Sequence, residues 1–185
     1  MILTKIVTSS EFILQALQVA VKGLGAVRLG VAGIPSSRSM SARAGAFRAW
    51  LEAGDHGSMG YLARTAEARL DPAGRFPWAS RAVVCAFPCQ GDAGEGAAAG
   101  EGEVLPAVAR YARGDDYHAV LREKLQQMAS LLEKLAGRPL RSHVFVDTSP
   151  LLERDLAERA GLGWIGKHTG LLTEDAGSWL LLGGV

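Results

Sequence analysis

The stretch FVDTSPLLERDLAERAGLGWIGKHTG, residues 145–170, joins a carboxylate to the start of a helix and a glycine-rich loop. Asp147 follows an apolar segment that predicts a buried strand, and ligand sites commonly lie where strands end. A carboxylic acid there could donate a proton to a leaving oxygen. It would need burial, a nearby anion or a ligand that excludes water to raise its pKa from about 4. The alternative is a structural aspartate that caps the helix.

The residues after Asp147 predict a helix from Pro150 to Ala160, with Ser149 as its N-cap and Pro150 as its first residue. Because Ser149 can cap the helix, Asp147 is not needed for that task. The helix N-terminus would favour the charged form of Asp147 and so oppose a role as proton donor. The sequence alone does not decide between the two interpretations.

The loop after this helix contains three glycines, Gly161, Gly163 and Gly166, at the spacing GxGxxG. A dinucleotide-binding motif must follow a strand and open a helix, whereas this loop follows a helix, so the match is misleading. Glycines there let a backbone approach a ligand closely. Lys167 and His168 add a cation and a second hydrogen-bonding group, although an isolated histidine is more often structural or solvated than catalytic.

The rest of the chain predicts helices and strands that interleave without a regular βαβ repeat. This pattern indicates an α+β fold with a mixed sheet flanked by helices. Residues 91–102 are rich in Gly, Ala and Glu and predict a dispensable loop without chemistry. The predicted helices cover 10–22, 40–52, 58–64 and 115–137, the strands 25–34, 81–88, 107–114, 143–147 and 178–185, and an irregular segment 68–80.

Composition fits one globular domain over residues 1–185, with 48% hydrophobic residues. Lys and Arg number 20 against 19 Asp and Glu, so the global charge predicts neither a nucleic-acid nor a membrane partner. Residues 36–81 contain seven arginines and four acids, which fits either a solvated face or a local anionic partner. No apolar run approaches the roughly 20 residues that span a bilayer, and no secretion signal is recognisable, so we expect a cytoplasmic protein.

The cysteine pattern argues against a disulfide or a metal centre built by this chain. In an extended segment Cys85 and Cys89 would lie roughly 13 Å apart, too far for a disulfide. Cys85 is expected to pack in the core. The absence of a Cys-x-x-Cys pair in the sequence leaves no zinc or iron–sulfur signature.

Four segments in this order resemble the N-terminal half of epoxyqueuosine reductases: GDHGSMGYLAR, RYARGDDYHAVLREKL, VDTSPLLERDLAERAGLGWIGKHTGLL and EDAGSWLLLG. The resemblance implies a nitroreductase-like cobalamin-binding fold. It also implies an oxidoreductase that uses cobalamin to reduce epoxyqueuosine to queuosine at the wobble position of tRNA.

The same resemblance implies the site residues. Asp147 would be the proton donor, because removing the epoxide oxygen requires a proton. No protein metal ligand is implied, and His168 is not expected to bind the cobalt. The tRNA anticodon loop would be the partner, with arginines of residues 36–81 near its backbone. The residues expected near cobalamin are Arg69, Arg110, Asp147, Lys167, Leu171, Gly177, Ser178 and Leu182.

Epoxyqueuosine reductases continue into a ferredoxin-like domain with eight cysteines and two [4Fe–4S] clusters, which the present sequence lacks. We therefore expect a fragment, since the sequence ends on the apolar run SWLLLGGV. Electrons would come from that missing domain or from a separate ferredoxin or flavodoxin. Two alternatives stay open: a non-catalytic corrinoid- or tRNA-binding module that relies on a partner for electrons, and a flavin-binding relative of nitroreductases.

Overall fold

The computed structural model describes residues 10–34, 42–89, 109–112 and 114–185. The glycine-rich segment 91–102 lies outside these ranges. The described elements are α1 (Ser10–Gly23), β1 (Arg28–Gly33), α2 (Ala42–Glu52), α3 (Gly60–Arg64), α4 (Ala66–Leu70), α5 (Pro72–Arg75), β2 (Arg81–Pro88), a 3₁₀ turn (Arg110–Ala112), α6 (Tyr117–Ala136), α7 (Glu153–Arg159), β3 (Trp164–Ile165), β4 (Leu171–Leu172) and β5 (Leu180–Gly184).

Strand β2 is the centre of the fold because both of its faces are buried. Alternate side chains of a strand point to opposite faces. Val83, Cys85 and Phe87 pack with residues of α1 and α6 in one apolar cluster. Ala82, Val84 and Ala86 belong to a second cluster with residues of α7. The expected α+β arrangement of helices on both faces of a sheet is confirmed.

The main sheet has the strand order β1-β2-β5, and β3 and β4 form a separate two-stranded ribbon. Every strand pair among the described residues is antiparallel, whereas the sequence predicted a mixed sheet. Beyond β5 the chain adds one bridge, in which Phe145 and Gly184 exchange backbone hydrogen bonds of 2.9 and 3.0 Å. This bridge fixes the segment that leads to Asp147 at the edge of the sheet.

Four sequence predictions are wrong in detail. Residues 143–147 form only the Phe145 bridge instead of a strand. The predicted strand 107–114 contains a 3₁₀ turn at 110–112 in its described part, and the irregular segment 68–80 includes α5 and the end of α4. The helix predicted from Pro150 begins three residues later, at Glu153, because the intervening residues form tight turns.

Helix α6 has the capping that its sequence requires. The Asp116 side chain accepts a hydrogen bond from the backbone N–H of His118, and Gly137 ends the helix in the left-handed conformation. Leu121, Leu125 and Met128 are buried along one face. The N-terminus of α6 therefore has a fixed position, which matters because it meets the Asp147 segment.

The buried cysteine behaves as predicted from the sequence. Cys85 is fully buried, its thiol lies 3.6 Å from Met128 Sδ, and burial raises its pKa to about 12. Both cysteines are free. In the described part of the chain, no helix is long and apolar enough to cross a membrane.

Gly30→Ala is expected to lower the free energy of unfolding by about 2–3 kcal/mol, because close packing at this position leaves no room for a methyl group. An added Cβ would lie 2.1 Å from the carbonyl oxygen of Ala160, just after α7. Gly45→Ala in α2 is the control, since its Cβ would meet no atom within 4 Å. Urea unfolding measures the free energy of unfolding of both variants. Equal values for Gly30→Ala and Gly45→Ala would contradict the close packing of β1 against the end of α7.

Candidate functional site

Asp147 lies at the centre of a three-residue turn just beyond the sheet edge. The backbone N–H of Thr148 donates to the carbonyl of Val146, which also accepts the Thr148 hydroxyl at 3.2 Å. Asp147 has a φ of +50°, a conformation that non-glycine residues seldom adopt outside constrained sites. The side chain is 66% exposed. The carboxyl group is therefore accessible from solvent.

Two side chains from the start of α6 hold one carboxylate oxygen of Asp147. The Tyr117 hydroxyl donates to Oδ2 at 3.2 Å, and His118 Nε2 lies 3.3 Å from the same oxygen. Burial, followed by the charge of Asp147, raises the pKa of Tyr117 to about 12, so its proton stays in place. Neither of these two contacts uses Oδ1 of Asp147.

His118 is placed to carry a positive charge. Its Nδ1 lies 2.8 Å from Asp116 Oδ1, while Nε2 faces Asp147. A carboxylate oxygen only accepts, so both contacts are hydrogen bonds when both ring nitrogens carry protons. The hydrogen bond with Asp116 raises the pKa of His118, assisted by Asp147, and the same contact lowers the pKa of Asp116.

A second carboxyl, that of Glu153, lies near Asp147 at the start of α7. Burial raises its pKa to about 8, with the charge of Asp147 adding to the effect. Its Oε1 is buried without a hydrogen-bond partner. The surroundings of Glu153 therefore favour the neutral form of its carboxyl group.

The segment between Asp147 and Glu153 is tied to its surroundings by an arginine. Arg69 donates to the carbonyl of Leu151 at 3.1 Å and to Thr65 Oγ1 at 3.1 Å. Ser149, predicted as the N-cap of α7, does not cap it: the N-cap is Leu152, without a side-chain bond. Ser149 is buried and lies 3.4 Å from His143 Nε2 instead.

Contacts of two of the other predicted segments are also described. Arg154, next to Glu153, donates to Thr169 Oγ1 at 3.1 Å and to the Thr169 carbonyl, which connects α7 to the loop that carries Lys167. Gly177 pairs with Thr173 at the end of the β4 segment. Arg110 is part of the 3₁₀ turn, but its side chain lies outside the described atoms.

The remaining predicted cofactor residues differ in accessibility. Lys167 and Gly177 are exposed, and Ser178 is half-buried. Leu171 is 4% exposed and belongs to the apolar cluster on the α7 face, and Leu182 packs against that cluster. Within the described ranges, no three His, Cys, Asp or Glu side chains are grouped to hold a metal ion.

Sequence reasoning missed three site residues, Tyr117, His118 and Glu153. The signal for the first two was the DDYH segment, where an aspartate caps a helix and places the next side chains at its N-terminal end. Glu153 gave no such signal, because its burial depends on the late start of α7. Only the tertiary structure reveals that the three surround Asp147.

Several arginines of residues 36–81 have structural roles. Arg43 forms an ion pair with Glu158 at 3.2 Å, and Arg81 donates to the Ser80 carbonyl. Arg69, as described above, supports the Leu151 segment. These contacts fit the solvated-face interpretation for part of the cluster.

Cations and aromatic rings surround His143, whose Nε2 lies 3.4 Å from the hydroxyl of Ser149, two residues after Asp147. Burial lowers the pKa of His143, as do the charges of Arg75 and Arg122. The Phe76 ring lies 4.8 Å from the His143 ring, and the Arg141 guanidinium stacks 4.8 Å from the centre of the Trp78 ring. Cations interleaved with aromatic rings are typical of surfaces that bind nucleic acids.

Comparisons with known proteins all match this chain to epoxyqueuosine reductases. Residues 69–148 match the family described as "Epoxyqueuosine reductase QueG, DUF1730". An epoxyqueuosine reductase of Vibrio cholerae is 35% identical over 160 residues, which cover 86% of this chain and 42% of the relative. The enzyme of Pseudomonas aeruginosa is 42% identical over 135 residues, covering 72% of this chain and 37% of the relative.

Solved structures agree with the sequence matches. A selenomethionine-labelled epoxyqueuosine reductase has a TM-score of 0.73 and 27% identity, over 95% of this chain and 45% of that chain. An epoxyqueuosine reductase with an epoxyqueuosine-modified tRNA-Tyr stem loop has a TM-score of 0.64 and 25% identity, with the same coverage. The chain thus spans less than half the length of the proteins that it matches.

Proposed function

We propose that this chain, a relative of the epoxyqueuosine reductases that spans less than half their length, is the cofactor- and substrate-binding part of such an enzyme. The reaction would convert the epoxide of epoxyqueuosine in tRNA to the alkene of queuosine. It consumes two electrons and two protons and releases the epoxide oxygen as water. One observation carries the proposal: Tyr117 and His118 hold Oδ2 of Asp147 just beyond the sheet edge.

Asp147 would act as the general acid. Its Oδ1 would donate a proton to the epoxide oxygen as the carbon–oxygen bond breaks. His118, whose ring lies 3.3 Å from Oδ2, would return a proton from solvent to Asp147. The Tyr117 hydroxyl would hold Oδ2 in place during both steps. A bound substrate that covers the exposed carboxylate would favour its neutral form, because removal of water disfavours the charge.

Cobalamin is the cofactor that the resemblance implies. Two features of the described residues fit a large ligand: a glycine whose backbone is accessible, and exposed tryptophan rings. An added Cβ at Gly177 would meet no atom within 4 Å, so the backbone there is open to close approach. Trp164 and Trp179 are 47% and 52% exposed, and exposed apolar surface is typical of ligand sites. Lys167 and Ser178 would donate hydrogen bonds to the amide groups of the cofactor. When bound, cobalamin would supply the reducing electrons through its cobalt.

The tRNA would approach the Asp147 turn from the basic and aromatic face around His143. Arg75 and Arg122 would meet the phosphate backbone, and affinity should fall as salt rises. The electrons would come from the cluster-containing domain found in the full-length relatives or from a separate ferredoxin or flavodoxin. Activity on tRNA would place the protein in the cytoplasm.

The cofactor assignment is tested by mixing the purified chain with cob(II)alamin without oxygen and separating them by gel filtration. We expect near-stoichiometric cobalt in the protein fraction. Clean separation would contradict the proposal that this part of the enzyme holds the cofactor by itself. Retention of flavin mononucleotide in place of the corrinoid, in a parallel run, would favour the flavin-binding alternative.

A further inference from the structure

A polar cavity lies along helix α6, on the side that faces residues 142–144. Its volume is about 430 Å³, within the roughly 300–1,000 Å³ that is usual for small-ligand sites. The lining side chains of α6 recur every three or four residues and so share one face of the helix: Arg122, Gln126, Ala129, Ser130 and Glu133. Ala129 and Ser130 are small, which leaves the hollow between longer side chains. The proton transfer proposed above does not use this α6 cavity.

The opposite wall of the α6 cavity is held at both of its ends. Residues 142–144 form this wall. Just before them, the backbone N–H of Leu140 donates to Glu133 Oε1 at 3.1 Å. Directly after them, Phe145 pairs with Gly184 of the main sheet. The cavity is therefore formed by fixed elements, and a rigid site lowers the cost of ordering a ligand.

The two ends of the α6 cavity differ in charge. Arg122 lies one helix turn after His118, which contacts Asp147, and Glu133 lies about 16 Å further along the helix axis. Burial and, after it, arginine charges that include Arg122 lower the pKa of His143, so a guanidinium acts on this ring of the cavity wall. The end near Asp147 is thus positive and suits a phosphate group, which arginine binds well.

The other lining groups match the way proteins bind single-stranded RNA. Unstacked bases of RNA stack on aromatic rings and form hydrogen bonds along their edges. The centre of the His143 ring lies 4.8 Å from that of Phe76 with an angle of 31° between the planes, so a base in the cavity could extend an existing stack. Gln126 and Ser130 offer donors and acceptors to a base edge or a ribose hydroxyl.

We propose that the α6 cavity binds the nucleotide next to epoxyqueuosine in the anticodon loop. Arg122 binds the phosphate that joins the two nucleotides, the base stacks on His143, and Gln126 forms hydrogen bonds with the base or its ribose. The inference rests on the proposed function, because it requires that Asp147 faces the modified nucleotide. Val144 lines the cavity and precedes Asp147 by three residues, at most about 11 Å of extended chain, so adjacent nucleotides can reach both places.

The main test measures the binding of a fluorescein-labelled anticodon stem loop with unmodified bases to the full chain, by anisotropy and without cobalamin. Two further stem loops lack the base on one or the other side of the wobble position. One of them should bind the wild type about tenfold more weakly, the usual loss for one stacked base. Ser130→Leu, which fills the cavity at an exposed helix position, should weaken binding of the intact loop and remove the difference between the loops. Gln127→Leu, an exposed neighbour that does not line the cavity, is the matched control and should behave as the wild type.

The phosphate contact is measured by the salt dependence of the same binding. Arg122→Gln should lower the slope of log affinity against log salt concentration by about 0.7, the value for one phosphate of a single strand. Arg138→Gln changes an exposed arginine outside the cavity and should keep the wild-type slope. Equal slopes for the two variants would refute the Arg122 contact.

The outcomes separate this inference from the proposed function. If the intact stem loop binds but both loops with a missing base bind equally well, the α6 cavity is not a nucleotide site, and the proposed tRNA function stands. A Ser130→Leu variant that keeps the wild-type affinity would overturn the inference in the same way. If the wild type binds none of the stem loops, the proposed substrate binding by this chain fails together with the inference.

Discussion

Asp147→Asn is expected to reduce the single-turnover rate of epoxide reduction by about 10²- to 10⁴-fold, the usual contribution of a general acid. The amide keeps the shape of the side chain and can still accept from the Tyr117 hydroxyl, but it has no acidic proton to give. Asparagine also tolerates the left-handed φ of +50°, so the turn should keep its conformation. Rapid quenching followed by nucleoside mass spectrometry measures the rate.

Two controls make the Asp147→Asn result specific. Asp115→Asn changes a nearby exposed aspartate and should leave the rate unchanged. Cobalamin binding by Asp147→Asn should also match the wild type, because the cofactor would be held mostly by other groups. A variant that binds cobalamin and reduces the epoxide at the wild-type rate would show that Asp147 is not the acid.

His118→Gln should reduce the rate by about 10²-fold at neutral pH, because the variant has no ionisable ring to return protons to Asp147. The pKa of His118 is raised by Asp116 and Asp147, so the ring is charged below that pKa and neutral above it. The wild-type rate should therefore fall as the pH rises through this pKa. His118→Gln should lack this fall.

Asp116→Asn tests whether the titrating group is His118. An asparagine can still cap α6, but it removes the carboxylate that chiefly raises the pKa of His118. The decline in rate should move to lower pH while the maximum rate is nearly kept. A decline that stays at the same pH in Asp116→Asn would assign the titration to a group other than His118.

The parts of the fold that depend on local pattern were predictable from the sequence. The apolar run of β2 and the apolar spacing of α6 identified a buried strand and its neighbouring helix. The position of Asp147 was predicted correctly in one respect, since it follows a segment that pairs with the sheet. The Phe145 bridge is too short for a strand, because only one residue meets Gly184.

The geometry of the site depends on contacts that local pattern does not encode. Ser149 has the composition of an N-cap, yet tight turns delay α7 to Glu153 and bury Ser149 against His143. That delay turns Glu153 inward, where its pKa rises. Tyr117 and His118 meet Asp147 across 30 and 29 residues of chain, a distance that spacing arguments cannot bridge.

The most direct measurement of the central claim is a single-turnover reaction of the purified chain with cobalamin, a chemical reductant and a stem loop that carries epoxyqueuosine. Nucleoside analysis would report the ratio of queuosine to epoxyqueuosine with time. We predict that queuosine forms and that the reaction requires Asp147. An epoxide that persists while the stem loop is bound and the cobalt is reduced would contradict the account.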